Sequence, residues 1–116
     1  MLSRENRLKK NKEFNYIYKK GKYINSSNFL ICYVDSYLKF PKFGFSVNKK
    51  IGNSVMRSRA KRLMSEVVRL NINKITNKNY VVVVKPSILN CEFKELEKEF
   101  LNVIQKANLI KKDLNE

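Results

Sequence analysis

Residues 80–84 of the chain are Tyr-Val-Val-Val-Val, and Lys85-Pro86 follows directly. A short, unbroken apolar run of β-branched residues predicts a strand that is covered on both faces. Pro86 marks its end, because proline has no N–H to donate to a sheet ladder. The sequence therefore predicts a sheet with residues 80–84 as a central strand, and the other elements have to pack around it.

Six further segments carry the periodicity of regular structure. Strands are predicted at 22–25, 29–34 and 43–48, and helices at 11–20, 54–70 and 92–107. The order is α-β-β-β-α-β-α, which predicts an α+β sandwich on a single sheet. A length of 116 residues predicts one domain over 1–116, with residues 108–116 as a frayed tail.

The spacing of apolar residues predicts which side of each helix faces the sheet. In the first helix, Phe14, Ile17 and Tyr18 share one face, between Asn11 as N-cap and Gly21 as the glycine that follows the helix. The second helix has a predicted inward stripe formed by Met56, Ala60, Leu63, Val67 and Leu70. The last helix is predicted to turn inward Phe93, Leu96, Phe100, Val103, Ile104 and Ala107.

The net charge of +15 is concentrated in two segments. Residues 1–22 hold eight basic and two acidic residues, and residues 36–65 hold eight basic residues and no acidic one. Such a charge favours a polyanionic partner, either nucleic acid or an anionic membrane. Three of the six arginines fall at 57–62, in a chain with many more lysines. Because guanidinium groups bind phosphate bidentately, this choice favours a phosphate contact over a merely solvated helix face.

The residues that are missing exclude several kinds of chemistry. The chain has no His, which removes Ser-His and Cys-His nucleophile pairs. Cys32 and Cys91 are too far apart for a zinc ribbon, and each is expected to be a small buried thiol. No apolar run reaches the roughly 18 residues of a membrane span, and no signal peptide is visible, so a cytoplasmic location is expected.

Residues 49–62 form the most informative window: Lys-Lys-Ile-Gly-Asn-Ser-Val-Met-Arg-Ser-Arg-Ala-Lys-Arg. Its helix N-terminus favours phosphate binding. The window resembles the motif of the protein subunit of bacterial ribonuclease P, Lys-Lys-x-Gly-x-(Ala/Ser)-Val-x-Arg-Asn-Arg-x-Lys-Arg. Residues 7–14, Arg-Leu-Lys-Lys-Asn-Lys-Glu-Phe, resemble the opening of the same family. Two of the departures are Ser58, where the family has Asn, and Ser65, where a further Arg is common; the loss of that Arg is expected to weaken the basic face of the second helix without removing it.

The resemblance implies a function. In this family the RNA subunit is the catalyst and binds the Mg²⁺, and the protein, with no catalytic residue or metal site of its own, helps to remove the 5′ leader from precursor tRNA. The implied RNA-subunit face comprises Lys49, Lys50, Arg57, Ser58, Arg59, Lys61 and Arg62. The implied leader cleft comprises Phe14, Tyr18, Tyr33, Ser46 and Asn48. The expected partners are the catalytic RNA and precursor tRNA, with no membrane and no obligate protein partner.

The resemblance also implies a fold like the second domain of a small-subunit ribosomal protein. Its single mixed sheet contains an unusual left-handed β-α-β crossover from the 43–48 strand to the 80–84 strand, where general rules predict a right-handed one.

Other functional classes remain open from composition alone. A ribosomal or assembly protein that binds structured RNA would carry a similar charge. A DNA-binding architectural protein would be expected to show base-reading Asn or Gln on its basic helix, where this chain has Ser58 and Ser65. A stand-alone metal-dependent nuclease would need clustered carboxylates, which residues 36–65 lack.

Overall fold

Four strands form one mixed sheet in the computed structural model, which describes residues 2–110. They are β1 (Lys22–Asn25), β2 (Phe29–Asp35), β3 (Lys42–Val47) and β4 (Lys78–Val84), in the order β1-β2-β4-β3. β2 is antiparallel to β1 and β4, whereas β3 is parallel to β4. The valine run therefore lies in the interior of the sheet, as predicted.

Three helices cover the sheet: α1 (Asn11–Lys20), α2 (Ser54–Asn71) and α3 (Phe93–Lys106). α1 lies on one face, over a small cluster that includes Ile17, Cys32 and Val81. α2 and α3 cover the other face, over the main core. The α+β order and the helix bounds are thus confirmed to within one residue. α2 connects the parallel strands β3 and β4, and the hand of this crossover stays a prediction from the resemblance.

Two details at the ends of α1 differ from the prediction. The N-cap is Lys10 rather than Asn11, and the backbone N–H of Lys10 donates to Glu13 Oε1 at 3.2 Å. Gly21 follows the helix as predicted, but at φ −80° it is not in the left-handed region. A Cβ there would lie 2.4 Å from the carbonyl oxygen of Ile17 and 2.8 Å from that of Tyr33. Close packing, not backbone conformation, therefore requires glycine at this position.

The predicted inward stripe of α2 is partly wrong. Met56 and Leu70 are 45 % and 53 % exposed, whereas Met64 and Val68 are fully buried beside Ala60 and Val67. The helix is thus rotated relative to the prediction, because it packs on α3 and the Pro86–Asn90 turn as well as on the sheet. The inward side of α3 is as predicted, with Leu96, Phe100 and Ile104 buried.

The start of the predicted tail is part of the packed structure. Leu109 is buried, and its carbonyl oxygen accepts a hydrogen bond from the Thr76 N–H at 2.8 Å. Ile110 forms an antiparallel bridge with Ile75. A frayed tail is therefore wrong for residues 108–110, and residues 111–116 lie outside the described part of the chain.

Candidate nucleic-acid interface

The Phe14 ring lies directly on the backbone of β3. A Cβ on Gly44 would be only 2.2 Å from Phe14 Cζ, so the ring occupies the space that any other side chain would need. Phe14 is only partly buried there. The combination of an aromatic ring on α1 and a glycine on β3 therefore keeps part of an aromatic face accessible at the edge of the sheet.

Beside Phe14, the α1 face of the sheet forms a half-open shelf. We define the aromatic shelf as the partly buried side chains Phe14, Tyr18, Leu30, Ser46 and Val83. Leu30 pairs with Val83 and Val83 with Ser46, so these three strand residues share one row across the sheet. Phe14 and Tyr18 are one helical turn apart on α1, and both pack against the small cluster beneath it. Three predicted cleft residues, Phe14, Tyr18 and Ser46, are thus brought together.

Asn48 lies at the end of this region, where β3 passes into the basic segment. It is exposed, and its Oδ1 accepts a hydrogen bond from the Lys50 N–H at 2.8 Å. The side chain therefore shapes the Lys49–Ile51 turn, two residues along the chain from Ser46.

Tyr33 is the predicted cleft residue that the structure does not place on the shelf. Successive residues of a strand point to opposite faces. Cys32, not Tyr33, faces α1, and the Tyr33 ring packs toward the main core with its centroid 6.1 Å from that of Tyr80. The assignment of Tyr33 to a cleft beneath α1 is therefore corrected, by one position in the strand.

The loop before α2 holds two lysines next to the start of that helix. Gly52 has φ 144°, a conformation that favours glycine, and the Asn53 side chain caps α2 by accepting from the Met56 N–H at 3.0 Å. Lys49 and Lys50 are exposed just before this turn. The positive end of the helix and both ammonium groups therefore lie in one small region.

The first turns of α2 present the predicted basic face. Arg59, Lys61 and Arg62 are exposed, and so is Ser58. Arg57 is partly buried, and its Nε makes no hydrogen bond to any described residue, so packing alone orients this end of its guanidinium group. We call the exposed residues Ser58, Arg59, Lys61 and Arg62, together with Arg57, the basic arc.

Two further polar residues of α2 make contacts within the protein. Ser65 is 5 % exposed, and its Oγ donates to the carbonyl oxygen of Arg62 at 3.1 Å. Ser65 itself is therefore not part of the solvent-facing surface of α2, and the effect of the missing arginine stays a prediction. Arg69 is engaged in an ion pair, with its Nη2 2.8 Å from Glu66 Oε2, and this contact is the largest of the causes that lower the pKa of Glu66 to about 2.

The shelf and the arc meet at one point, which sequence reasoning missed. Lys61 and Ser65 of α2 line a small cavity of about 140 Å³ together with Phe14 and Gly44. Lys61 therefore stands at the border of both surfaces.

The described residues 2–110 do not fit a resident metal site, since no three His, Cys, Asp or Glu side chains gather there in a way that could hold an ion. Across the same residues, no helix has the length and apolar character to cross a membrane.

A cationic helix beside an aromatic shelf, on an α+β sandwich, defines a class of small basic RNA-binding proteins. The family model described as Ribonuclease P matches residues 2–108. The ribonuclease P protein component of Alkaliphilus metalliredigens is 41 % identical over 110 residues, covering 94 % of this chain and 99 % of that relative. The component of Clostridium botulinum (strain Langeland) is 36 % identical over 109 residues, covering 91 % and 97 %.

Solved structures give the same result. The RNase P protein of Staphylococcus aureus superposes with a TM-score of 0.82 at 26 % identity, covering 91 % of this chain and 98 % of that one. For the RNase P protein of Thermotoga maritima the TM-score is 0.79 at 23 % identity, covering 86 % and 96 %, which supports the fold. The chain belongs to the ribonuclease P protein family, a family of tRNA-processing, RNA-binding proteins.

Proposed function

We propose that this chain is the protein subunit of a ribonuclease P that removes the 5′ leader from precursor tRNA in the cytoplasm. The observation that carries the proposal is the junction at Lys61, where the basic arc meets the aromatic shelf in one cavity with Phe14. A single protein would there contact a folded RNA through α2 and a single strand through α1 and β3.

The basic arc is the proposed contact for the catalytic RNA. Its guanidinium groups match phosphate geometry, and Lys49 and Lys50 extend the positive surface to the start of the helix. In this proposal the RNA partner performs hydrolysis with its own Mg²⁺, since the described part of the protein lacks a matching cluster of ligands. The protein contributes affinity and orientation.

The aromatic shelf is the proposed contact for the leader. Phe14 and Tyr18 offer ring surface for base stacking, which contributes about 1–3 kcal/mol per base. Because every base has a stacking face, this contact tolerates different leader sequences. Ser46 and Asn48 add polar groups at the β3 end of the shelf, where the chain passes toward the lysines.

Two pairs of substitutions test whether the basic arc binds the catalytic RNA and the aromatic shelf binds the leader. Arg59→Gln with Arg62→Gln removes two exposed guanidinium groups, and we expect assembly with the catalytic RNA to weaken about tenfold and its salt dependence to become shallower. Phe14→Leu with Tyr18→Leu keeps apolar volume but removes the rings. We expect that variant to assemble normally and to lose most of the preference for leader-bearing over leaderless substrate.

Each pair has a matched control on α3. Lys94→Gln with Lys98→Gln removes the same charge from exposed positions, and Phe93→Leu removes a partly buried ring from the other side of the sheet. If the charge control weakened assembly as much as the arc variant, the effect would be nonspecific. If the shelf variant kept wild-type discrimination, the shelf would not bind the leader. A purely structural RNA-binding protein would show assembly but no leader effect in any variant.

A further inference from the structure

The aromatic shelf occupies only one flank of α1. Tyr16 and Lys20 are one turn apart on the opposite flank of the same helix, away from Phe14 and Tyr18. With β1 and β2 they enclose a cavity of about 490 Å³. We call this second region the tyrosine–lysine corner, defined by Tyr16, Lys20, Lys22, Tyr33, Tyr37 and Lys78.

The corner exists because the strands differ in length. β1 pairs with β2 only as far as Tyr33, but β2 continues to Asp35. On its other side, β2 still pairs with β4 at Val34 and Asp35. β1 therefore does not extend along residues 34–35, which line the same cavity as the tyrosines.

The charge of the corner is positive. Three lysines face one acid, Asp35, and Lys78 Nζ pairs with that carboxylate. The hydrogen bond and the charge of Lys78 lower the pKa of Asp35, with a smaller contribution from the charge of Lys22, so three lysines surround one ionised acid. Among residues 2–110, Lys20 and Lys22 make no ion pair, which leaves their charges for an external anion.

Two of the three rings of the corner, Tyr16 and Tyr37, are exposed, whereas Tyr33 is partly buried. Tyr37 is fully exposed and Tyr16 is more than half exposed. The Tyr33 ring between them is held in place by Tyr80. Single exposed aromatic residues are ordinary, but a cluster of rings with lysines around it is the composition that grips single-stranded nucleic acid.

An RNA strand that extended from the shelf to the corner would run past the end of α1. Tyr23, on β1, pairs with Cys32 and therefore points to the α1 face, where its hydroxyl donates to the Tyr18 carbonyl oxygen. Tyr23 is itself more than half exposed. It stands between the two regions, next to Lys20 and Lys22. A strand that leaves the shelf thus meets further rings and cations rather than acidic surface.

We propose that the tyrosine–lysine corner binds single-stranded RNA, namely the 5′-distal part of a long leader that continues from the shelf past Tyr23 and the end of α1. This inference rests on the proposed function. It adds that long leaders bind more tightly than short ones, because at least one additional base stacks and additional phosphates meet Lys20 and Lys22.

The test uses the assembled enzyme and precursor tRNAs with leaders of about 5 and about 20 nucleotides. In this proposal the shorter leader ends on the shelf, and only the longer one reaches the corner. For the wild type we expect the long leader to bind about fivefold tighter, the gain from one stacked base. Tyr16→Ser with Tyr37→Ser, and separately Lys20→Gln with Lys22→Gln, should bring the ratio of the two affinities close to one. Lys94→Gln with Lys98→Gln serves as the charge control and should keep the wild-type ratio.

A second measurement reports the contact directly. Thiouridine placed in the distal leader should crosslink on irradiation to residues 16–37 of the wild-type protein. A wild-type ratio of one, or a ratio unchanged in both corner variants, overturns the inference. If the protein fails to accelerate cleavage of either precursor, the proposed function itself fails and the inference falls with it. If the protein stimulates cleavage but both corner variants keep the wild-type ratio of affinities, only the inference about the corner fails. The corner would then bind another kind of partner.

Discussion

The two faces of the sheet differ in how completely the helices cover them. On the face toward α2 and α3, Phe29, Ile31, Tyr80 and Val82 are completely buried. On the face toward α1, a helix of ten residues covers Cys32 and Val81 but leaves Leu30 and Val83 partly accessible. Alternate residues of one strand thus divide between a sealed core and a binding shelf. We therefore expect substitutions on the first face to act mainly on stability, and substitutions at the partly accessible positions of the second face to act mainly on RNA binding.

The largest expected effect is on the sealed face. Phe100 is fully buried on α3, with its ring centroid 6.2 Å from that of Phe29. Phe100→Ala removes this packing and leaves a cavity, so we expect a loss of about 3–5 kcal/mol in the free energy of unfolding, measured by urea denaturation. A loss below about 1 kcal/mol would contradict the description of this face as the main source of stability.

An intermediate effect is expected at the contact between α1 and β3. Gly44→Ala places a methyl group where the Phe14 ring lies, so the ring has to move and the free energy of unfolding should fall by about 1–3 kcal/mol. The same substitution should reduce discrimination for the leader, because the shelf loses its shape.

The double variant Gly44→Ala with Phe14→Leu checks that reason. Leu has no ring atom in the position of Cζ, so it should recover part of the stability lost in Gly44→Ala, as a non-additive pair. Strictly additive losses in urea denaturation would show that the two residues do not compete for this space.

A smaller and pH-dependent effect is expected at Glu99, which ties α3 to the turn between β1 and β2. Its Oε2 accepts from the Asn28 N–H at 3.0 Å and its Oε1 from Asn28 Nδ2 at 2.6 Å, with a further hydrogen bond from Ser26. Partial burial opposes ionisation, but the hydrogen bonds from Ser26 and Asn28 outweigh it and lower the pKa of Glu99 below its usual 4.5.

Because the pKa of Glu99 is lower in the folded state, its contribution to stability is complete above the unfolded pKa and is lost as the pH falls through the folded one. The stability difference between wild type and Glu99→Gln should therefore shrink as the pH is lowered from neutral to below 4.5. A difference that does not change with pH in urea denaturation would mean that the carboxylate charge plays no part.

The smallest expected effect is at Ser65. Its hydroxyl is buried against the Arg62 carbonyl oxygen, away from the solvent-facing side of α2. Ser65→Ala should change assembly with the catalytic RNA by less than about twofold and stability by at most about 1 kcal/mol. A tenfold weaker assembly would mean that Ser65 belongs to the basic arc after all.

The differences between sequence and structure have physical causes in particular residues. The bounds of α1 and β1 were predictable because Gly21 separates two clear patterns. Tyr33 was not assignable from sequence, since residues 29–34 are apolar at every position and a shift by one residue changes the face. Met56 and Leu70 were misplaced because α2 has apolar residues on two sides, and packing on α3 selects the side with Met64 and Val68.

Some of the functional residues were predictable from the sequence, and others were not. The basic arc followed from the spacing of charges, because exposed residues of one helix need only the period of that helix. The role of Lys61 at the border of the shelf, and the tyrosine–lysine corner, depend on contacts between elements distant in sequence. No local pattern reports such contacts, so they emerge only from the fold.

The most direct test of the account is reconstitution with a bacterial ribonuclease P RNA. At a Mg²⁺ concentration too low for the RNA alone, cleavage of precursor tRNA is measured with and without the protein. We expect the protein to restore removal of the leader at a single position, giving the mature 5′ end. An RNA that binds the protein without gaining any cleavage would contradict the account.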